Sequence, residues 1–161
     1  MRLRHQPPIS VQKENTALDI AIIAEDTKKE LMAQFCIAYC GILSRHHLYA
    51  TQVTGKYISD ATGLDINTML AGSGGGIEQV ISHIACDEID LLFYFRGTEP
   101  REGGHDSMYD LLRLCDIHNV PLATNIATAE VLVMALDKGD LDWRDYINPR
   151  SAYNRERRLH H

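Results

Sequence analysis

The amino-acid sequence predicts a three-layer α/β domain with a central, mainly parallel β-sheet covered by helices on both faces. Two observations lead to this prediction. Continuous apolar runs of strand length alternate along the chain with amphipathic helical segments, as they do in βαβ units. The runs themselves do not alternate apolar and polar residues, which is typical of parallel strands buried on both faces.

Each element follows from a local pattern. The first strand is the apolar run at 18–24, and Asp26 or Thr27 is expected to cap a helix that continues to about Cys40. Gly139 is expected to end the last helix. Further strands are predicted at 47–53, 68–70 and 89–95 and from Val120 onward. Further helices are predicted at 55–62, 77–85, 108–119 and 128–139.

The two ends of the chain differ in composition from this alternating region. Residues 1–16 are polar and contain proline without an apolar period, so we expect a flexible N-terminal arm. Residues 17–148 form the predicted domain. Residues 149–161 are basic and low in apolar content, so this C-terminal tail is expected to be peripheral or disordered.

Composition and charge exclude several classes of protein. The chain has 161 residues, 45% of them hydrophobic, and a net charge of −6, which fits one soluble domain and argues against a nucleic-acid-binding surface. No apolar run approaches the ~20 residues of a membrane span. The N-terminus also lacks the apolar segment of a secretory signal, so a cytoplasmic location is expected.

The cysteines do not form a recognisable metal or disulfide motif. Cys36, Cys40, Cys86 and Cys115 lie within otherwise apolar segments, and no Cys-x-x-Cys occurs. No His or Cys partner stands at metal-ligand spacing from them. We therefore expect buried free thiols in a reducing compartment, and no metal site.

Polar residues collect directly after the predicted strands, where the loops of a parallel sheet bind ligands. Taken one by one, each has an ordinary structural role as a cap, a turn or a solvated side chain. Together, helix starts, glycine amides and a lysine suit a small anion, phosphate above all. In chain order they are Glu25, Asp26, Lys29, Thr51, Thr54, the glycines of 72–76, and His105.

Several segments resemble methylglyoxal synthase over about residues 18–147. They are IAIIAEDTKKELM, LYATQVTGKYISDATGLDI, LAGSGGGIEQV, LLRLCDIHNVPLATNIATAEVLV and DWRDYI. The resemblance implies a Rossmann-like fold, a homohexamer and no cofactor. It implies elimination of phosphate from dihydroxyacetone phosphate. In that family a carboxylate removes a proton beside the carbonyl, a histidine moves protons at the oxygens, and hydroxyls, a lysine and glycine amides hold the phosphate.

The resemblance assigns roles to residues that this chain retains. Asp26 matches the aspartate of a His-Asp pair in the family's first loop. The histidine of the fourth loop corresponds to His105 if the loop shifts by one residue, whereas an ungapped alignment places Gly104 there and puts Gly97 at an aspartate of the family. The phosphate-binding positions are Lys29, Thr51, Thr54, Gly72, Gly75 and Gly76.

The chain also departs from the family pattern within the same loops. Ile77 stands at the family's catalytic aspartate, and isoleucine cannot accept a proton. Glu25 stands at the histidine of the first loop and adds negative charge beside the expected phosphate. Further exchanges are Gln52 for a glycine, Val53 for a threonine, Ala71 for a serine and Ser73 for a proline.

Three functions are compatible with this pattern. The first is a methylglyoxal synthase or close phosphate lyase in which Glu78, Glu25 or Asp26 serves as the base. Glu78 would be brought in by a one-residue slip of the glycine loop. The second is a catalytically silent ligand-binding or regulatory paralogue. The third is an enzyme of the same fold that acts on a different small molecule. We rank the first highest.

Overall fold

The computed structural model of the protein describes residues 16–69, 76–99 and 107–160. The strands are β1 (Asp19–Ala24), β2 (His47–Thr51), β3 (Ile66–Met69), β4 (Leu91–Phe95) and β5 (Leu122–Ala123). They form one sheet in the order β3-β2-β1-β4-β5, and each neighbouring pair is parallel. The predicted parallel sheet is therefore confirmed.

The helices connect and cover these strands. They are α1 (Lys29–Ala38), α2 (Cys40–Leu43), α3 (Gln52–Thr62), α4 (Gly76–Ala85), α5 (Ser107–His118), α6 (Ile126–Lys138) and α7 (Ala152–Leu159). A 3₁₀ turn at Asp26–Lys28 precedes α1, and another at Asp142–Tyr146 precedes α7. Gly139 ends α6 with φ +83°, as predicted.

The sheet carries a hydrophobic core on each face, as a three-layer fold requires. Ile20 and Ile22 of β1 point to one face, where they pack with α1, α3 and α6. Ala21 and Ile23 point to the opposite face, where they pack with α4 and α5. Successive residues of a strand face opposite sides, so a strand between two helical layers must be apolar at every position.

The predicted boundary between β2 and α3 is wrong by several residues. Pairing of β2 with β3 ends at Thr51, which lies opposite Met69. Gln52 and Val53 already belong to α3, so the helix begins before Gly55. The apolar side chain of Val53 extended the strand pattern in the sequence, yet it is 65% exposed on the helix.

The predicted cap of the first helix is also wrong. Glu25 occupies the cap position of the 3₁₀ turn, and no side chain bonds to the turn as a cap. The carboxylate of Asp26 accepts a hydrogen bond from Lys29 Nζ instead. The helical segment is broken at Tyr39, so α1 ends at Ala38 and α2 follows.

The C-terminal tail is helical rather than disordered. The Ser151 hydroxyl accepts a hydrogen bond from the Asn154 N–H at 3.2 Å and thereby caps α7. The Asn154 side chain donates to the Asn148 carbonyl at 2.6 Å. No residue of α7 is buried, so the helix is peripheral, as expected. Almost all of the predicted N-terminal arm lies outside the described residues.

The cysteines agree with the prediction only in part. Cys36 and Cys115 are buried free thiols, and burial raises their pKa to about 12 and about 11. Cys40 is half-buried and Cys86 is exposed, so the expectation of burial is wrong for Cys86. Within the described ranges, no helix is long and apolar enough to cross a membrane.

Candidate functional site

The strand order places a topological switch point between β1 and β4. The chain moves from β1 to β2 on one side of the sheet and from β4 to β5 on the other. In open α/β sheets, ligands bind in the crevice that this reversal opens at the carboxyl ends of the strands. Glu25 follows β1 directly and Arg96 follows β4, so both border this crevice.

Glu25 joins the two sides of the crevice. Its backbone N–H donates to the Phe95 carbonyl at 3.0 Å. Its Oε2 accepts a hydrogen bond from the Gly97 N–H at 2.6 Å, and its Oε1 accepts one from the Tyr94 hydroxyl at 3.4 Å. The carboxylate is thus held by the residues that end β4, a contact that the sequence did not predict.

Asp26 and Lys29 form an ion pair at the start of α1. Lys29 Nζ lies 2.7 Å from Asp26 Oδ1, and the Asp26 side chain is 94% exposed, whereas that of Lys29 is 22% exposed. The hydrogen bond and the charge of Lys29 lower the pKa of Asp26. A carboxylate with a lowered pKa is a weaker base, so this geometry favours Lys29 as an anion ligand and disfavours Asp26 as a proton acceptor.

The start of α3 offers hydrogen-bond donors at the same edge of the sheet. Thr51 ends β2 and occupies the cap position of α3, but its side chain makes no cap hydrogen bond. The first N–H groups of a helix then remain available to an anion. Thr54 is buried in the first turn. By contrast, the Asn125 side chain already caps α6 by accepting from Thr128 N–H at 3.1 Å.

Gly76 begins α4 at the end of the glycine-rich loop, and the predicted ligands Gly72 and Gly75 lie outside the described residues. The side chain of Ile77 is half-buried and packs against the core on the α4 and α5 face of the sheet. Glu78 is exposed in the first turn of α4. His105 also lies outside the described residues.

The structure therefore brings most of the predicted residues to one edge of the sheet. Glu25 and Lys29 follow β1, Thr51 and Thr54 lie where β2 meets α3, and Glu78 lies near the start of the helix after β3. Within the described residues, no three His, Cys, Asp or Glu side chains come together in a way that could hold a metal ion. The Glu25 contact with Gly97 is the feature that sequence reasoning missed. In the sequence, this contact is indicated only by the glycine at 97, which leaves room for the Glu25 carboxylate.

Comparison of the sequence with known proteins identifies its relatives. No protein-family model matches it. It is 51% identical over 138 residues to the methylglyoxal synthase of Caldicellulosiruptor saccharolyticus, covering 86% of this chain and 98% of that protein. It is 45% identical over 130 residues to the methylglyoxal synthase of Thermoanaerobacterium thermosaccharolyticum, covering 81% of this chain and 97% of that protein.

A solved structure gives the same result. The crystal structure of methylglyoxal synthase from Elizabethkingia anophelis superposes with a TM-score of 0.63 at 31% identity, covering 73% of this chain and 77% of that one. The sequence resemblance and the Rossmann-like fold are thus confirmed, because whole-length relatives and a solved structure agree. The chain belongs to the methylglyoxal synthase family.

Proposed function

We propose that the protein is a carbon–oxygen lyase that eliminates phosphate from dihydroxyacetone phosphate or a related small phosphorylated carbonyl compound. The observation that carries the proposal is the arrangement of Lys29 and the uncapped start of α3 at the carboxyl edge of the sheet, in a chain of this family. A lysine ammonium supplies positive charge and helix N–H groups supply directed donors, and phosphate needs both.

The phosphate would be held by Lys29 together with Thr51, Thr54 and the amides of Gly72, Gly75 and Gly76. Lys29 is paired with Asp26. Asp26 is exposed, and exposed ion pairs contribute little to stability because water screens them. A phosphate dianion therefore replaces Asp26 as the partner of Lys29 at small cost.

We assign the role of base to Glu78. Ile77 has no group that accepts a proton, and its side chain packs against the core. Glu25 accepts a hydrogen bond from Gly97, and Asp26 has a lowered pKa. Glu78 is an exposed carboxylate one residue beyond Ile77 in the first turn of α4. We assign His105 the movement of protons at the substrate oxygens, on the resemblance alone.

Turnover of dihydroxyacetone phosphate tests the proposal. Purified protein is expected to release methylglyoxal and phosphate in equal amounts, with inorganic phosphate as a competitive inhibitor. Lys29→Met removes the cation and should weaken inhibition by phosphate. Lys56→Met is the matched control, because Lys56 is exposed on α3 and pairs only weakly with Asp60 at 3.5 Å. Equal loss in both variants would contradict the assignment of Lys29.

The packing of Ile77 favours a second candidate, a silent ligand-binding or regulatory paralogue. A half-buried apolar residue that packs against the core at this position suits a chain that keeps the phosphate cradle but has lost the reaction. Calorimetric titration with inorganic phosphate separates the candidates. Binding without turnover supports the paralogue. If the protein neither binds phosphate nor turns over dihydroxyacetone phosphate, the result favours an enzyme of the same fold that acts on a different small molecule.

We further propose a cytoplasmic homo-oligomer, a hexamer by family resemblance, that needs no cofactor and binds neither nucleic acid nor membrane. Elimination of phosphate requires no redox or carrier group. Several large apolar side chains are exposed, and subunit contacts in the proposed oligomer would remove them from water. Examples are Val53, Tyr109 and Val131. Sedimentation equilibrium measures the mass, and a monomer would overturn this proposal.

A further inference from the structure

We propose that Glu25 is a positioning residue that fastens the loop after β4 to the end of β1, and that Gly97 is its required partner. The inference rests on the proposed function, in which both loops border the substrate. It concerns a pair of residues at which this chain departs from the family pattern, because the resemblance gives a histidine at 25 and, in the ungapped alignment, an aspartate at 97.

The contact extends the pairing of two central strands beyond their ends. The last paired residues of β1 and β4 are Ala24 and Phe95. The Glu25 N–H continues this pairing to the Phe95 carbonyl at 3.0 Å. The Glu25 carboxylate then reaches past the strand end to the Gly97 N–H at 2.6 Å. A short bond from an amide to a carboxylate is stronger than a neutral one, so it fixes the start of the loop.

Gly97 is required for space rather than for backbone conformation. A Cβ atom at this position would lie 2.5 Å from Glu25 Oε2 and 3.3 Å from Thr27 Oγ1. The φ angle of Gly97 is not in the left-handed region that favours glycine. The atom that would be displaced is the end of a flexible side chain. A larger residue at 97 therefore pushes the carboxylate away without unfolding the domain.

The glutamate at 25 and the glycine at 97 are compatible with each other, whereas a glutamate at 25 and an aspartate at 97 would not be. An aspartate at 97 would place a second carboxylate beside that of Glu25 at the switch point, and like charges at this distance repel. With glycine at 97, the backbone N–H is open to the Glu25 carboxylate and donates a hydrogen bond to it. Glu25 thus neither adds an unbalanced charge to the site nor serves as the base. Its role is to hold the residues that directly follow β4.

A double-mutant cycle tests the pairing. Glu25→Ala and Gly97→Ala each break the contact and should each lower kcat by roughly 10²-fold through misplacement of the loop. The double variant should lose no more than Glu25→Ala alone, because both substitutions remove the same bond between Glu25 and Gly97. Losses that multiply would overturn the pairing. Glu30→Gln is the matched control, an exposed carboxylate of α1 that should retain wild-type kcat.

Glu25→Gln separates positioning from proton transfer. Its amide oxygen still accepts from Gly97, so kcat should fall less than about tenfold. A base would instead lose about 10²–10⁴-fold in the glutamine variant, with its limb of the pH–rate profile removed, and that result would overturn the proposal.

Amide hydrogen exchange at Gly97 keeps the proposal testable if the wild-type protein turns over no dihydroxyacetone phosphate. The absence of turnover would contradict the proposed function but not the positioning role of Glu25. Slow exchange of Gly97 in the wild type and in Glu25→Gln, with fast exchange in Glu25→Ala, supports the positioning role. Fast exchange in the wild type overturns it. Circular dichroism of each variant verifies that the domain is folded.

Discussion

Three carboxylates that follow the carboxyl ends of strands β1 and β3 have different surroundings and therefore different chemistry. Glu25 is bonded to the backbone of Gly97, and Asp26 is bonded to Lys29. Glu78 lies exposed in the first turn of α4, close to the glycine loop. Environment rather than residue type decides which carboxylate can take a proton. This comparison leads us to assign the base to Glu78.

Substitution of Glu78 tests that assignment at the scale of one residue. Glu78→Gln keeps the size and hydrogen-bonding capacity of the side chain but removes its basicity, so kcat should fall by about 10²–10⁴-fold. The fold should be unaffected, because the side chain is exposed. Steady-state kinetics with dihydroxyacetone phosphate measures the effect. A kcat within a factor of about three of the wild type would exclude Glu78 as the base.

Capping distinguishes the helices that border the site. The start of α3 lacks a side-chain cap and suits a ligand, whereas α6 is capped by Asn125. Asn125→Ala should therefore lower the free energy of unfolding by about 0.5–2 kcal/mol. Asn125→Asp keeps an acceptor and serves as the control. Urea denaturation measures both, and equal stability of the alanine variant and the wild type would show that the cap contributes nothing.

The elements that the sequence predicted best are those whose burial dictates their composition. β1 and β4 lie between two helical layers, and their continuous apolar runs admit few alternatives. The start of α3 was missed because Val53 is apolar but exposed. The placement of Thr51 and Lys29 at the carboxyl edge of the sheet could be predicted because residues after parallel strands gather at that edge. The Glu25 contact was missed because it joins residues 72 positions apart.

A buried polar cluster holds the C-terminal segment against the domain. It lies at the amino-terminal ends of β1 and β4, opposite the candidate site. Arg144 is fully buried and donates to the carbonyls of His118, Asn119 and Ile89. The Asn148 amide donates to Asp19 Oδ2 at 2.6 Å and to Asp90 Oδ2 at 3.0 Å. Buried polar groups of this kind must remain paired, so the cluster fixes where the segment docks.

Asp90 makes the stability of the whole molecule depend on pH. Burial raises its pKa to about 6, although the Asp19 N–H, Asn148 and Arg144 favour the charged form. Because this pKa is above the ordinary 3.8, Asp90 contributes to the free energy of unfolding in full below about pH 3.8. This contribution is lost as pH rises through about 6. Asp90→Asn removes this dependence.

The unfolding free energy of Asp90→Asn minus that of the wild type should therefore increase by about 1–2 kcal/mol from about pH 5 to about pH 8, because the wild type loses stability as Asp90 ionises. Burial lowers the pKa of His46 to about 4, so its contribution is lost as pH falls and opposes that of Asp90. Taking the difference cancels His46, which both proteins contain. Asp65→Asn at an exposed position is the control. A difference that does not vary with pH would contradict the raised pKa.

We propose that this chain, in which Ile77 stands at the position that the resemblance gives to a catalytic aspartate, still eliminates phosphate. Incubation of dihydroxyacetone phosphate with the protein in molar excess tests it most directly, since even slow chemistry is then visible in a single turnover. We expect equal amounts of methylglyoxal and phosphate, released faster than without protein and suppressed in Glu78→Gln. Release no faster than the spontaneous elimination, at every protein concentration tried, would contradict it.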